Sequence, residues 1–173
     1  MEGRRWAGMP ALVLCLIALG VSYYLFARGV KLESNQGTGA DFCSTVFQAS
    51  CDGTLLSEYS DFLGLSFAGW GAVYYVTLGL LVLFSTLMRQ IMHRQLLSAA
   101  ILLNLGGLVI SGYLSWLLLS GKVPFCPLCF FTHLLNVALL PTLLLYRGGG
   151  IRSVFSDLAK GLDYVFSGRP QGT

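Results

Sequence analysis

Charge is what this chain has least of. Only 11% of its 173 residues are Asp, Glu, Lys or Arg, against about 25% in ordinary soluble domains. Hydrophobic residues make up 55% of the sequence, and the mean hydropathy is +0.70. Such a chain is expected to have lipid as its solvent, and its length suits one domain. The net charge of +3 is too small and too scattered to hold nucleic acid. A small-residue cleavage site is also missing before Lys31, so the first apolar run reads as a span rather than a signal peptide.

Four runs are long and apolar enough to cross a bilayer: residues 6–26, 67–88, 96–119 and 125–146. Short connections at 89–94 and 120–124 make neighbouring spans antiparallel, which predicts a four-transmembrane-helix bundle. The expected fold class is an all-α membrane protein, with a short extracytoplasmic loop helix covering the active site. Residues 1–147 form the membrane domain and 148–173 a cytoplasmic tail. With both termini and the 89–94 loop on one side, that side holds Arg4, Arg5, Arg89, Arg94, Arg147, Arg152, Lys160 and Arg169, eight of the eleven basic residues. The positive-inside rule then puts the termini in the cytoplasm and the 28–66 loop outside it. Of the acids, five of eight fall on that outer side.

The 28–66 loop is too long to be a plain connection. Residues 34–39 read as flexible turn material and 41–48 as helix-compatible. Apolar residues at 55, 56, 59, 62 and 63 have helical spacing, predicting a short helix over the bundle mouth. In the tail, 154–166 reads either as an amphipathic surface helix or as a loosely ordered end.

Four of the five cysteines fall in two groups on the outer side. Cys43 and Cys51 lie in the polar loop, and Cys126-Pro127-Leu128-Cys129 opens the last span. A Cys-x-x-Cys admits zinc, redox and accidental readings. The Cys43–Cys51 spacing is not that of a zinc knuckle, and an oxidising compartment works against four free thiolates, so no metal is expected. Two structural disulfides remain open, although a disulfide across Cys126 and Cys129 would close too short a loop to stabilise much. Redox work suits the place: Pro124 and Pro127 fit a helix start, where free amides and the helix dipole favour a thiolate.

On the same helix, Cys129, His133 and Asn136 share one face. His133 would polarise a carbonyl or carry a proton, or else be a satisfied buried polar group. Phe67, Trp70, Phe130 and Phe131 sit at the matching depth, either stacking on a flat ring or forming an interfacial belt. Ser57 would bond within the loop or cap its helix. Cys15 reads as a small packing residue in the first span, and His93 as a solvated charge in the cytoplasmic loop.

Across nearly its whole length the chain resembles the vitamin K epoxide reductase family. The likeness rests on one span, a loop with Cys43-x7-Cys51, Ser57 six residues later, three further spans, and Cys126-x-x-Cys129 opening the last. DsbB-type quinone reductases also have four spans and two cysteine pairs, but in the opposite order. The resemblance implies a relay. Cys43 takes electrons from a separate thioredoxin-like (DsbA-like) protein, Cys51 attacks a Cys126–Cys129 disulfide at Cys126, and Cys129 reduces a quinone held among the helices.

Ring contacts are expected from His133, Asn136, Trp70, Phe67 and Phe130, with Ser57 in a supporting role. Animal members carry a tyrosine four residues past the last cysteine and an asparagine near the second span. Here His133 and approximately Leu65 stand there. The expected function is therefore a bacterial, quinone-dependent thiol–disulfide oxidoreductase of the cytoplasmic membrane. It would use ubiquinone or menaquinone and drive disulfide formation outside the cytoplasm. Reduction of vitamin K epoxide, with a vitamin K-type naphthoquinone, is the enzyme alternative; a disulfide-stapled membrane scaffold is the non-enzyme one.

Overall fold

The computed structural model describes residues 2–34, 42–47, 51–87, 90–148 and Val154. Long apolar runs give α1 (Glu2–Glu33), α4 (Phe67–Leu87), α5 (Gln90–Leu119) and α6 (Pro127–Arg147), which stay helical through the interior prolines Pro10 and Pro141. Between α1 and α4 lie α2 (Phe42–Phe47), α3 (Asp52–Leu55), and a hairpin of β1 (Asp61–Phe62) and β2 (Leu65–Ser66). All four long helices contain stretches able to cross a membrane: Gly8–Glu33, Phe67–Leu87, His93–Leu119 and Pro127–Arg147. In lipid each backbone amide must be satisfied within the protein, and continuous helices of this kind do so segment by segment.

The helices close into a ring in which α1 and α5 each pack against both α4 and α6. On α1 the buried residues Gly8, Ala11, Cys15, Ala18, Ser22 and Leu25 form a stripe alternating steps of three and four. Small side chains on that stripe let backbones approach closely, which is how helices associate where lipid removes the hydrophobic drive. Cys15 belongs to this packing, with Gly79 against its Cβ. Towards the end away from the cysteines, Leu78, Val82, Leu97, Ile101, Leu139 and Leu143 fill the core. A second cluster gathers Leu25, Leu117, Leu118, Val123 and Leu128 around Cys43, Cys51 and Cys126.

Several expectations are corrected. The helix predicted over 55–63 does not form: α3 ends at Leu55, turns follow, and β1 pairs antiparallel with β2 through Asp61↔Ser66 and Phe62↔Leu65. Leu63 (φ 55°) and Gly64 (φ 78°) make a two-residue turn that helical backbone cannot accommodate. Of the apolar stripe Leu55 packs into the cysteine-side cluster and Phe62 stacks on Phe67 of α4, while Leu56 and Leu63 stay exposed. What covers the bundle mouth is the pair of short helices α2 and α3 with the hairpin.

The 89–94 connection is also shorter than expected, because α5 already begins at Gln90. His93 is buried rather than solvated: its Nδ1 lies 2.7 Å from the Ser85 carbonyl and its ring meets Tyr146 edge-on. A partner carbonyl within reach lets the imidazole leave water. The first helix runs on past residue 26 to Glu33, where Arg28 finds an acidic partner, while α6 starts at Pro127 rather than 125. The turn material at 35–39 and the tail helix at 154–166 lie outside the described residues, Val154 excepted.

Candidate thiol-disulfide site and membrane cavity

Local chemistry fixes the start of α6. Cys126 has extended backbone (φ −106°, ψ 109°) and caps the helix, its sulfur accepting from the Cys129 amide at 3.2 Å. Pro127 follows at the first helical position, where a missing N–H costs nothing. That geometry points the Cys126 sulfur out of the helix and towards the loop.

The loop brings its own cysteines to meet it. Cys43 on α2 and Cys51 at the head of α3 form a disulfide, with Cα atoms 6.2 Å apart. Both are buried, as is Cys126, while Cys129 is half-buried. The Cys126 thiol donates to the Cys51 sulfur at 2.7 Å, and the sulfurs of Cys43, Cys51 and Cys126 all lie within 4.8 Å of one another. Three sulfurs this close also meet the spacing of a soft-metal site. The bond between Cys43 and Cys51 consumes two of those donors, leaving a disulfide with a thiol beside it.

Two contacts hold α3 in place. Arg28 of α1 grips Asp52 through Nε (3.1 Å) and a terminal nitrogen (2.9 Å), a two-point pair adjacent to Cys51. The Thr54 hydroxyl donates to the Pro124 carbonyl, which joins α3 to the approach of α6. The Cys51 carbonyl accepts from the amides of Thr54 and Leu55 at 3.1 Å each. Ser57 donates to the Thr54 carbonyl at 2.8 Å, so it tightens the turn after α3.

Below the sulfurs is a partly open cavity of about 580 Å³, lined by α1, α4, α5, α6 and the loop. Cys129, His133 and Asn136 line it from α6, Phe67 and Trp70 from α4, and Ser57 from the loop. Its walls are mostly apolar, with few polar groups, the usual make-up of a site for a flat organic ligand. The Trp70 indole donates to the Phe62 carbonyl at 2.9 Å and Phe67 stacks on Phe62 (6.1 Å between centroids), so both rings also pin the hairpin to α4. Phe130 is placed elsewhere. It packs on the cysteine cluster, 5.8 Å from the Phe125 ring, and borders a separate recess of about 130 Å³ between α5 and α6. The step from Cys129 to Phe130 turns the side chain about 100° around the helix, away from the cavity face.

Sequence reasoning missed the partners of Asn136: Tyr74 and Ser111 on the cavity wall, and Asn104, which bonds to Asn136 without lining the cavity. Tyr74 of α4 donates to Asn136 Oδ1 at 2.6 Å, Asn104 of α5 donates to the same oxygen at 2.7 Å, and Asn136 donates to Ser111 Oγ at 3.0 Å. Tyr75 donates to the Thr132 carbonyl at 3.1 Å. A signal for two of them was available: Asn104 and Ser111 are polar, lie inside an apolar span and stand two turns apart on one face. Arg28 and Asp52 carried no such signal, being ordinary loop-side charges until the fold joins them.

A disulfide touched by a third thiol, and a fourth thiol facing an apolar membrane cavity, is an arrangement suited to thiol–disulfide exchange coupled to a lipid-soluble acceptor. No curated protein matches the chain. Residues 9–144 match the model of the vitamin K epoxide reductase family, and by that extent of match the chain belongs to this family.

Proposed function

We propose that the chain carries electrons from a thioredoxin-like thiol donor to a quinone, so that its turnover forms disulfides outside the cytoplasm. Family membership implies a membrane oxidoreductase acting on thiols, disulfides and quinones. The carrying observation is the 2.7 Å approach of Cys126 to Cys51, combined with Cys129 lining the cavity that the other three cysteines do not line.

Each step balances. The donor's two thiols reduce the Cys43–Cys51 disulfide, passing through a mixed disulfide on Cys43. Cys51 then attacks a Cys126–Cys129 disulfide at Cys126 and expels the Cys129 thiolate. Cys43 next attacks Cys51, reforming Cys43–Cys51 and freeing Cys126. The result has the loop oxidised and Cys126 and Cys129 reduced, the same pairing as in the structure. Two electrons and two protons from that dithiol then convert a quinone in the cavity to the hydroquinone. Ubiquinone and menaquinone both fit the reading, with His133 one turn below Cys129 on the cavity wall.

The direct test supplies detergent-purified protein with a reduced thioredoxin-like donor and follows quinone absorbance. Quinone loss in the wild type, and none in Cys129→Ala, is the expected result. Full activity in Cys129→Ala would remove the basis of the mechanism. Orientation is checked separately: a membrane-impermeant thiol reagent applied outside intact cells should label the reduced cysteines of the loop.

A further inference from the structure

Hydrogen-bond direction along the deep wall of the cavity leads to a residue outside the four-cysteine relay. Asn104 Nδ2 lies 3.3 Å from the backbone carbonyl of Asn136, which accepts only, so the amide of Asn104 is oriented with its donors towards α6. Its Nδ2 also donates to the Tyr74 hydroxyl at 3.1 Å and to Asn136 Oδ1 at 2.7 Å. Tyr74 spends its single proton on the same Oδ1 at 2.6 Å. With its oxygen doubly occupied, Asn136 turns its Nδ2 to Ser111 and donates at 3.0 Å. Ser111 thus accepts. Its own proton has no protein acceptor among the described residues, and the side chain is buried on the cavity wall.

We propose that Ser111 presents this proton to a carbonyl oxygen of the quinone, with Tyr74, Asn104 and Asn136 as positioning residues behind it. The inference rests on the quinone reading above. It moves Asn136 from ring ligand to the group that orients Ser111. The spacing agrees: Cys129 and Asn136 are seven residues apart on α6, about 10 Å along the axis, room for one ring with Ser111 at its deep oxygen and Cys129 at its near edge. Ser111 supplies no net proton. The two thiols of Cys126 and Cys129 provide both protons and both electrons, a disulfide forms between them, and the serine polarises the carbonyl as it is reduced.

The experiment uses the purified full chain, a reduced thioredoxin-like donor and a short-chain 1,4-naphthoquinone. Ser111→Ala is expected to lower kcat/KM for quinone by roughly tenfold, the cost of one lost hydrogen bond to a buried carbonyl. Ser111→Thr keeps the hydroxyl and should restore most of it. The rate at which donor thiols reduce the Cys43–Cys51 disulfide should not change in either variant. Infrared spectra of the bound quinone should show two distinct carbonyl bands in the wild type, one of them lowered by the hydrogen bond and shifted back in Ser111→Ala. Unchanged kcat/KM in Ser111→Ala, equal losses in the Ala and Thr variants, or equivalent carbonyl bands in the wild type would each overturn the assignment while leaving quinone reduction standing. A wild type that accepts electrons from the donor yet reduces no quinone would overturn the parent reading and this inference with it.

Discussion

The thiol of Cys126 points at the sulfur of Cys51 from 2.7 Å, across 75 residues of sequence. A disulfide joining Cys51 to Cys126 is therefore one small displacement away, provided that nothing resolves it. In the double variant Cys43→Ala/Cys129→Ala both resolving thiols are gone. Mild oxidation with diamide should then link Cys51 to Cys126 nearly quantitatively, as read by mass spectrometry of non-reduced peptides. Recovery of both thiols unoxidised would mean the two sulfurs do not meet in solution.

The Arg28–Asp52 pair holds the head of α3, and so holds Cys51 against Cys126. Both side chains are partly buried and joined at two points, which places the pair at about 1 kcal/mol, near the upper end for exposed ion pairs. Arg28→Ala should slow internal transfer from the loop cysteines to Cys126 by roughly fivefold, the same energy expressed as a barrier. Rapid-quench alkylation measures that rate. The swap Arg28→Asp/Asp52→Arg should recover part of it, and higher salt should mimic the loss.

Much of the architecture was legible because lipid imposes it. Twenty apolar residues in a row admit few structures, and the four spans lie within a few residues of the expected limits except where polar ends extend α1 and α5. The Cys126 helix start was legible as well, since proline beside a cysteine suits a first turn. Residues 55–63 were not. Their apolar spacing fits a helix, but Leu63 and Gly64 have positive φ, and a Leu-Gly pair carries none of the Asn or Asp chemistry that usually announces such a turn. His93 was misjudged for a different reason. Its burial depends on the Ser85 carbonyl and the Tyr146 ring, partners that only tertiary packing brings near. In the cavity, Cys129, His133 and Asn136 followed from helical spacing, whereas Tyr74 joins them only through the approach of α4 to α6.

Leu63 is 82% exposed and sits at φ 55°, a backbone state that costs a branched or bulky residue energy and gains it no packing. Leu63→Asn should raise stability by about 0.5–1 kcal/mol, because asparagine tolerates the left-handed region. Thermal unfolding in detergent tests this, with a higher midpoint expected and quinone turnover unaffected. A lower midpoint would show that the leucine side chain itself has a partner, such as the surrounding lipid or detergent.

Gly107 faces Tyr74 across the α4–α5 contact, and a Cβ added there would stand 2.7 Å from the tyrosine hydroxyl and 2.8 Å from its Cζ. Neither atom has freedom to retreat, since the hydroxyl is bonded to both Asn136 and Asn104. Gly107→Ala must therefore part the helices or break the hydrogen-bonded chain, at a cost of about 1–3 kcal/mol from overpacking. Helix propensity alone predicts the opposite, a gain of roughly 1 kcal/mol for alanine over glycine, so the sign of the measured change decides between the two. Tyr74→Phe removes the nearer atom but leaves Cζ, so the double variant should recover only part of the loss. Detergent unfolding midpoints for the three variants, with quinone kcat/KM alongside, should show Gly107→Ala lowering both. A stabilised Gly107→Ala with normal turnover would mean that Tyr74 does not hold its hydroxyl against α5.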